Sequence, residues 1–118
     1  MYAKLCCCHA ADWVVYIDYD AATGTDYSCN YKEEGKVMPF CRRDGDVIAL
    51  MDECDRNAGG RCDGFVVSLE SNGKFGWLKQ APGGNVLGNR RVRQGYMFFA
   101  KTRSNPKGHK RSLLQLDA

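Results

Sequence analysis

The sequence predicts a small α+β domain in which an antiparallel sheet carries one main helix. Three features predict it: one amphipathic helical segment, two β-rich runs joined by an Asn-Gly turn, and a further β-rich run on each side of them. Strands joined by hairpins with one helix on a single face form α+β domains, whereas parallel sheets need alternating helices. The 118 residues have room for one core, which we assign to residues 1–104, followed by a basic tail over residues 105–118.

The first predicted strand covers residues 13–19, a run of β-branched and aromatic residues. A polar, glycine-containing stretch follows, with a weak strand expected over residues 27–31. The main helix is predicted to begin after Asp46, a residue type that caps helix N-termini, and to stop at Gly59-Gly60. Its apolar residues recur at helical spacing, so one face should pack on the sheet; they are Val47, Leu50, Met51 and Cys54.

A β-hairpin is predicted from two runs, residues 65–69 and 75–79. Asn72-Gly73 between them suits a type I′ turn, because both central residues of that turn need positive φ. A Pro/Gly-rich loop then leads to a buried last strand over residues 96–100.

Composition and charge narrow the function classes. Hydrophobic residues make up 44% and charged residues 26%, which is typical of folded globular domains, and no apolar run approaches the ~20 residues of a membrane-spanning helix. Residues 1–87 carry nine Lys and Arg against thirteen Asp and Glu, whereas residues 88–118 carry eight against one. The basic character is therefore concentrated near the C-terminus, where a polyanion could bind.

Seven cysteines in so short a chain indicate an oxidising compartment or a metal site. The cluster Cys6-Cys7-Cys8 beside His9 lacks a downstream Cys-x-x-Cys pair that would complete a zinc site, so we predict no metal and no cofactor. Disulfides from this cluster to Cys29 and Cys41 are the favoured interpretation. The odd cysteine could then join two chains.

Residues 46–79 resemble the core of PAN/apple domains. In that family a helix with two cysteines four residues apart precedes a Cys-x-x-Phe strand, and a hairpin partner carries Cys-x-Leu-Lys. Here Cys54 and Cys62 match one family pair, and the resemblance implies that they form a disulfide. Leu50 and Gly76 stand where the family has its other bonded pair, so both partners of that bridge are absent together.

The resemblance implies a non-catalytic extracellular or cell-surface module that binds a protein or a polysaccharide, an acidic one included. The predicted ligand-binding residues lie on the hairpin and the adjoining basic segment; they are Trp77, Lys79, Arg90, Arg91 and Arg93. No catalytic set is predicted, because His9 and His109, the two histidines, lie on no element that we expect to be rigid.

Two alternatives remain open at this point. The first is a small secreted basic toxin or effector that uses His109 with Lys110 or Arg111 on nucleic acid, although without a rigid acid/base pair we do not expect nucleic acid to be the ligand. The second is a structural subunit of a surface or filamentous assembly, in which Cys6, Cys7 and Cys8 and the apolar end, Leu113 to Leu116, would mediate self-assembly.

Overall fold

The computed structural model is a small α+β fold in which one helix packs on a sheet with five antiparallel strands. It describes residues 13–56, 61–81 and 89–101, and the backbone of residues 115–117. The elements in chain order are β1 (Trp13–Ala21), β2 (Lys32–Glu33), β3 (Lys36–Val37), β4 (Cys41–Asp44), α1 (Val47–Asp55), β5 (Gly64–Ser68), β6 (Phe75–Lys79), β7 (Arg90–Lys101) and β8 (Gln115–Asp117).

The main sheet has the strand order β4-β6-β5-β7-β1-β8. Its first five strands pair antiparallel with their neighbours, and β8 adds to the edge of β1 in parallel. Strands β2 and β3 form a separate two-stranded hairpin. The long strand β7 lies between β5 and β1 and therefore connects the hairpin half of the sheet to the N-terminal strand.

Helix α1 begins as the sequence predicts. The Asp46 carboxylate accepts a hydrogen bond from the backbone N–H of Ala49 at 2.9 Å, which satisfies one of the free donors of the first turn. Leu50, Met51 and Cys54 are buried on one face of the helix. The predicted stop at Gly59-Gly60 lies outside the described residues, and the helix ends at Asp55.

Both faces of the sheet are apolar, and side chains alternate between them along each strand. On the helix side, Phe65 stacks on Phe99 with ring centroids 4.8 Å apart, and each buried aromatic ring contributes about 2–3 kcal/mol of burial free energy. The buried residues of this layer are Trp13, Cys29, Cys41, Leu50, Met51, Cys54, Cys62, Phe65, Val67, Leu78 and Phe99. The opposite face buries a smaller cluster: Tyr16, Ala21, Val66, Ala81, Phe98 and Ala100.

Two local predictions are wrong. No strand forms over residues 27–31, because Asn30 has φ 69°, outside the extended region that strand pairing needs. The β5–β6 hairpin forms, but a six-residue connection replaces the type I′ turn, and only Gly73 of the Asn72-Gly73 pair has positive φ. Buried Ser71 explains the longer turn, because its hydroxyl accepts from the Ser68 N–H at 2.8 Å.

The described residues contain two disulfides, of which one was predicted and the other has a different pairing from the one predicted. Cys54 and Cys62 are bonded, the pair that the resemblance implied. Cys29 and Cys41 are bonded to each other, so the expected bridges from these two residues to the N-terminal cluster are wrong. The chain returns through β2 and β3 and brings the two Cα atoms to 5.1 Å, within bonding range. Cys6, Cys7 and Cys8 lie outside the described residues.

Strand β8 lies within residues 105–118, the segment predicted to be a basic tail, and its backbone pairs with Val14 to Tyr16 of β1. His109, Lys110 and Arg111 lie outside the described residues, as does the Pro/Gly-rich segment 82–88. Within the described parts of the chain, α1 is too short to cross a membrane and no other helix is a candidate span.

The phenol of Tyr27 gives a test of the packing beside Cys29. Burial against the helix-side core raises the pKa of Tyr27 to about 12. The unfolded chain loses this proton first, near its ordinary pKa of about 10. The stabilising effect of the neutral phenol is therefore complete below pH 10 and declines as the pH rises toward 12. Absorbance at 295 nm, read immediately after a pH jump, should differ between wild type and Tyr27→Phe by one tyrosine that ionises near pH 12; a midpoint near 10 would contradict the packing.

Candidate functional site

A cleft of about 230 Å³ opens on the face of the sheet that faces away from α1. Its location follows from the alternation along β6: Leu78 is buried in the helix-side core, and a Cβ atom on Gly76 would touch Leu50 of the helix. Phe75, Trp77 and Lys79 alternate with these two residues along β6 and therefore point to the other face. The cleft is lined by Asp20, Asp26, Phe40, Val66, Trp77, Lys79, Arg93 and Tyr96.

Trp77 and Val66 supply the apolar part of this cleft. They are register partners on β6 and β5, so their side chains lie next to each other on the same face. The Trp77 indole is half-buried and meets the Phe75 ring edge-on, with centroids 5.2 Å apart. The indole is thus supported by Phe75 and remains partly accessible to a ligand.

A bulge in the β1–β7 ladder places Arg93 and Tyr96 in the cleft. The pairing of Ile17 with Met97 is followed by that of Tyr19 with Val92, so Asp18 alone faces four residues of β7. Asp18 and Gly95 both have positive φ, and the Asp18 carboxylate accepts a hydrogen bond from the Gly95 N–H at 3.0 Å. Bulges of this kind redirect side chains next to functional sites.

A buried carboxylate orients the cations at this end of the cleft. Asp20 is 5% exposed, and its Oδ2 accepts from Arg93 Nη1 at 2.7 Å and from Arg91 Nη2 at 3.3 Å. The hydrogen bond to Asp20 raises the pKa of Arg93, which keeps the guanidinium charged. The Arg93 guanidinium also lies 4.0 Å from the centroid of the Tyr96 ring. Arg93 is therefore fixed by a carboxylate and an aromatic ring together.

The opposite end of the cleft lies at β6, two strands from the β7 strand that carries Arg93, and it holds a second ion pair, between Lys79 Nζ and Asp26 Oδ1. The Lys79 side chain is 11% exposed and that of Asp26 is 52% exposed, so the carboxylate is the more accessible partner. Two backbone contacts hold Asp26 in place: its own bridge to Lys79 and the hydrogen bond from Gln80 N to Thr25 O at 2.7 Å.

The Cys29–Cys41 disulfide restrains the wall that carries Asp26 and Phe40. Cys29 follows Asp26 by three residues, and Cys41 follows Phe40 directly. The Phe40 ring packs against the Tyr31 ring at a tilt of 38°, with centroids 5.8 Å apart, inside the loop that the disulfide closes. This bridge therefore joins the irregular wall of the cleft to strand β4.

No family model, curated protein or solved structure matches this chain.

Of the five residues that the sequence analysis assigned to ligand binding, Trp77, Lys79 and Arg93 line the cleft. Arg91 lies beside it through its ion pair with Asp20. Arg90 instead stacks over Tyr16, 4.3 Å from the ring centroid. The other five lining residues were not predicted from the sequence to belong to the site; they are Asp20, Asp26, Phe40, Val66 and Tyr96.

One sequence signal for the missed residues exists at Asp20, an acidic residue at the end of an aromatic, β-rich run. A carboxylate buried in such a position needs a cationic partner, and the basic segment at residues 90–93 offers three. Among the residues that the structure describes, no three His, Cys, Asp or Glu side chains are grouped closely enough to hold a metal ion.

Proposed function

We propose that this chain is an extracellular, non-catalytic binding module whose cleft takes a sugar ring of a polysaccharide. The observation that carries the proposal is the accessible Trp77 indole, with a charged pair at each end of the cleft. The C–H faces of a sugar pack on an aromatic ring, and its hydroxyl groups need hydrogen-bond partners around the rim. The cleft offers both.

The two carboxylates of the cleft support binding over catalysis. Asp20 accepts hydrogen bonds from two guanidinium groups, and Asp26 is paired with Lys79. Carboxylates held in this way orient the neighbouring cations and accept hydrogen bonds, whereas a general acid needs a proton that it can donate. The arrangement therefore favours recognition of a ligand that leaves unchanged.

Two observations support a PAN/apple-like module. The Cys54–Cys62 bridge joins the end of α1 to the segment that enters β5. A Cβ atom on Gly76 would lie 2.8 Å from Leu50 Cδ1, so the two positions that resemble a lost disulfide pair face each other between α1 and β6. The two disulfides also favour an oxidising, extracellular environment.

The two tryptophans of the chain allow a direct test of sugar binding. Trp13 is 2% exposed in the helix-side core, whereas Trp77 lines the cleft. In the Trp13→Phe variant, oligosaccharides that bind should change the emission of Trp77 in a saturable way. In the matched Trp77→Phe variant the emission should not change, although calorimetry should still detect binding. The panel comprises cello-, xylo- and chito-oligosaccharides and oligogalacturonate.

If no sugar of this panel changes the Trp77 emission of a folded protein, the cleft is not a sugar site. Degradation of RNA or DNA by the same preparation would instead support the basic effector interpretation. Self-assembly through Cys6, Cys7 and Cys8 stays a separate prediction, tested by the molecular mass in solution with and without reductant.

Restoring the absent bridge tests the PAN/apple-like resemblance. We expect the double variant Leu50→Cys/Gly76→Cys to form a further disulfide and to gain about 1–2 kcal/mol in free energy of unfolding. This is less than the ~3.5 kcal/mol expected for a loop of 26 residues, because a Cβ at position 76 also approaches Val66 O at 2.9 Å. Gly76→Cys alone should destabilise the fold. Thiol counting and urea unfolding provide the measurements. If the two introduced thiols stay free under oxidising conditions, the result argues against the resemblance.

A further inference from the structure

The two ends of the cleft present opposite charges to a ligand. At one end Asp20 is buried and Arg93, its partner, has a side chain that is 47% exposed. At the other end Lys79 is nearly buried and Asp26 is the exposed partner. A ligand therefore meets a guanidinium group at one end and a carboxylate at the other, and the Trp77 and Tyr96 rings also line the cleft.

The guanidinium end has a net positive charge. One Asp20 carboxylate faces both Arg91 and Arg93, so this group of three residues carries a surplus of one positive charge. Asp20 bonds Nη1 of Arg93, and a guanidinium has five N–H donors, so donors remain for a ligand. A planar carboxylate matches such a fork with two parallel hydrogen bonds.

The carboxylate end is suited to hydroxyl groups. Asp26 and Lys79 neutralise each other, and the exposed Asp26 oxygens can accept hydrogen bonds from neutral donors. A second negative charge on the ligand at this end would be repelled by Asp26. The cleft thus favours a ring with one anionic group, placed at the guanidinium end, and it disfavours a ring with a second anionic group at the Asp26 end.

We propose that the cleft takes a sugar ring that carries a carboxylate, a hexuronate unit, in one orientation. Its carboxylate binds Arg93, its ring packs on Trp77, and its hydroxyl groups face Asp26. This inference rests on the proposed function and adds the substrate class and the polarity of binding.

Galacturonate oligomers and their fully methyl-esterified counterparts provide the test, because they share a ring and differ in charge. Binding is read from Trp77 emission in the Trp13→Phe background. Arg93→Gln removes the more exposed cation of the cleft and keeps a hydrogen-bonding side chain. Arg56→Gln is the matched control: it makes the same charge change at the end of α1, on the helix side of the sheet, where Arg56 pairs with exposed Asp52.

We expect the acid to bind at least about tenfold more tightly than its ester, and Arg93→Gln to remove most of that difference. Arg56→Gln should leave both affinities within about twofold. The affinity for the acid should also fall as salt rises from low to physiological concentration, because Arg93 is partly exposed.

Equal binding of acid and ester, or equal affinities in Arg93→Gln and Arg56→Gln, would overturn the hexuronate assignment and leave the sugar-binding proposal standing. If a neutral oligosaccharide changes Trp77 emission and galacturonate does not, the hexuronate assignment is likewise overturned and the sugar-binding proposal stands. If neither neutral nor acidic sugars change the emission, both proposals fail. If calorimetry shows that dextran sulfate binds as tightly as the acid, and equally well to Trp77→Ala, the binding is nonspecific for polyanions and the assignment is overturned.

Discussion

Replacing Trp77 with alanine is expected to weaken oligosaccharide binding by about thirtyfold or more, the effect typical of a central aromatic anchor. The indole lines the cleft beside Val66 and packs edge-on against Phe75, and it is the aromatic side chain that β6 contributes to the cleft lining. The side chain is only half-buried and lies outside both buried clusters. The fold should therefore survive the substitution, which makes the loss of affinity interpretable.

Phe75→Ala is the matched control for this variant. Phe75 lies on the same strand and the same face, two residues from Trp77, and is also half-buried. It lies outside the cleft lining, and its ring is covered by the Arg42 guanidinium at 3.6 Å. Calorimetric titration with the tightest sugar of the panel should show a small loss for Phe75→Ala and a large loss for Trp77→Ala. Equal losses of affinity would mean that Trp77 supports the fold of the cleft and does not contact the sugar.

Local patterns were sufficient to predict the elements that form the frame of the fold. The aromatic and β-branched run at residues 13–19, the Asp46 cap with its apolar stripe, and the two runs of the hairpin each carry their own short-range signal. Each appears in the structure as β1, α1 and the β5–β6 pair. The prediction of a type I′ turn at Asn72-Gly73 was wrong, because hydrogen bonds between Ser68 and Ser71 favour a longer connection. These hydrogen bonds are as local as the turn itself.

The cleft was less predictable, because it depends on register. Trp77 and Lys79 could be selected by residue type and by their position on a hairpin strand. Tyr96 enters the cleft only because β7 has three more residues than β1 between two paired positions. Gly95 marks a position where a bulge can form, but the number of extra residues depends on the partner strand. The Cys29–Cys41 pairing has the same origin, since it depends on how residues 30–40 return to the sheet.

The two disulfides should differ in what their removal does to binding. Cys54–Cys62 joins α1 to β5 within the helix-side core, and none of its neighbours in the sequence lines the cleft. Cys54→Ala/Cys62→Ala should lower the free energy of unfolding by about 2.5 kcal/mol, the chain-entropy value for a separation of 8 residues. Once corrected for any unfolded fraction, its affinity for the sugar should remain within about twofold of wild type.

Cys29→Ala/Cys41→Ala should lower both the free energy of unfolding and the affinity for the sugar. Its separation of 12 residues corresponds to about 3 kcal/mol of stability. The bridge also restrains Asp26 and Phe40, which lie in irregular segments beside its two cysteines. Without it the ligand must order this wall on binding, so we expect the affinity to fall about tenfold in the folded protein, a cost that preorganised sites avoid.

Urea unfolding and calorimetric titration of the two double variants, at a temperature where both are folded, separate these effects. Each variant removes one bridge and leaves the other, and Cys6, Cys7 and Cys8 are present in both. If both variants lose stability and only Cys29→Ala/Cys41→Ala loses affinity, one bridge supports the fold and the other also supports the ligand site. If the affinity falls equally in both, the wall of the cleft is ordered by the fold as a whole, and the Cys29–Cys41 loop has no separate part in recognition.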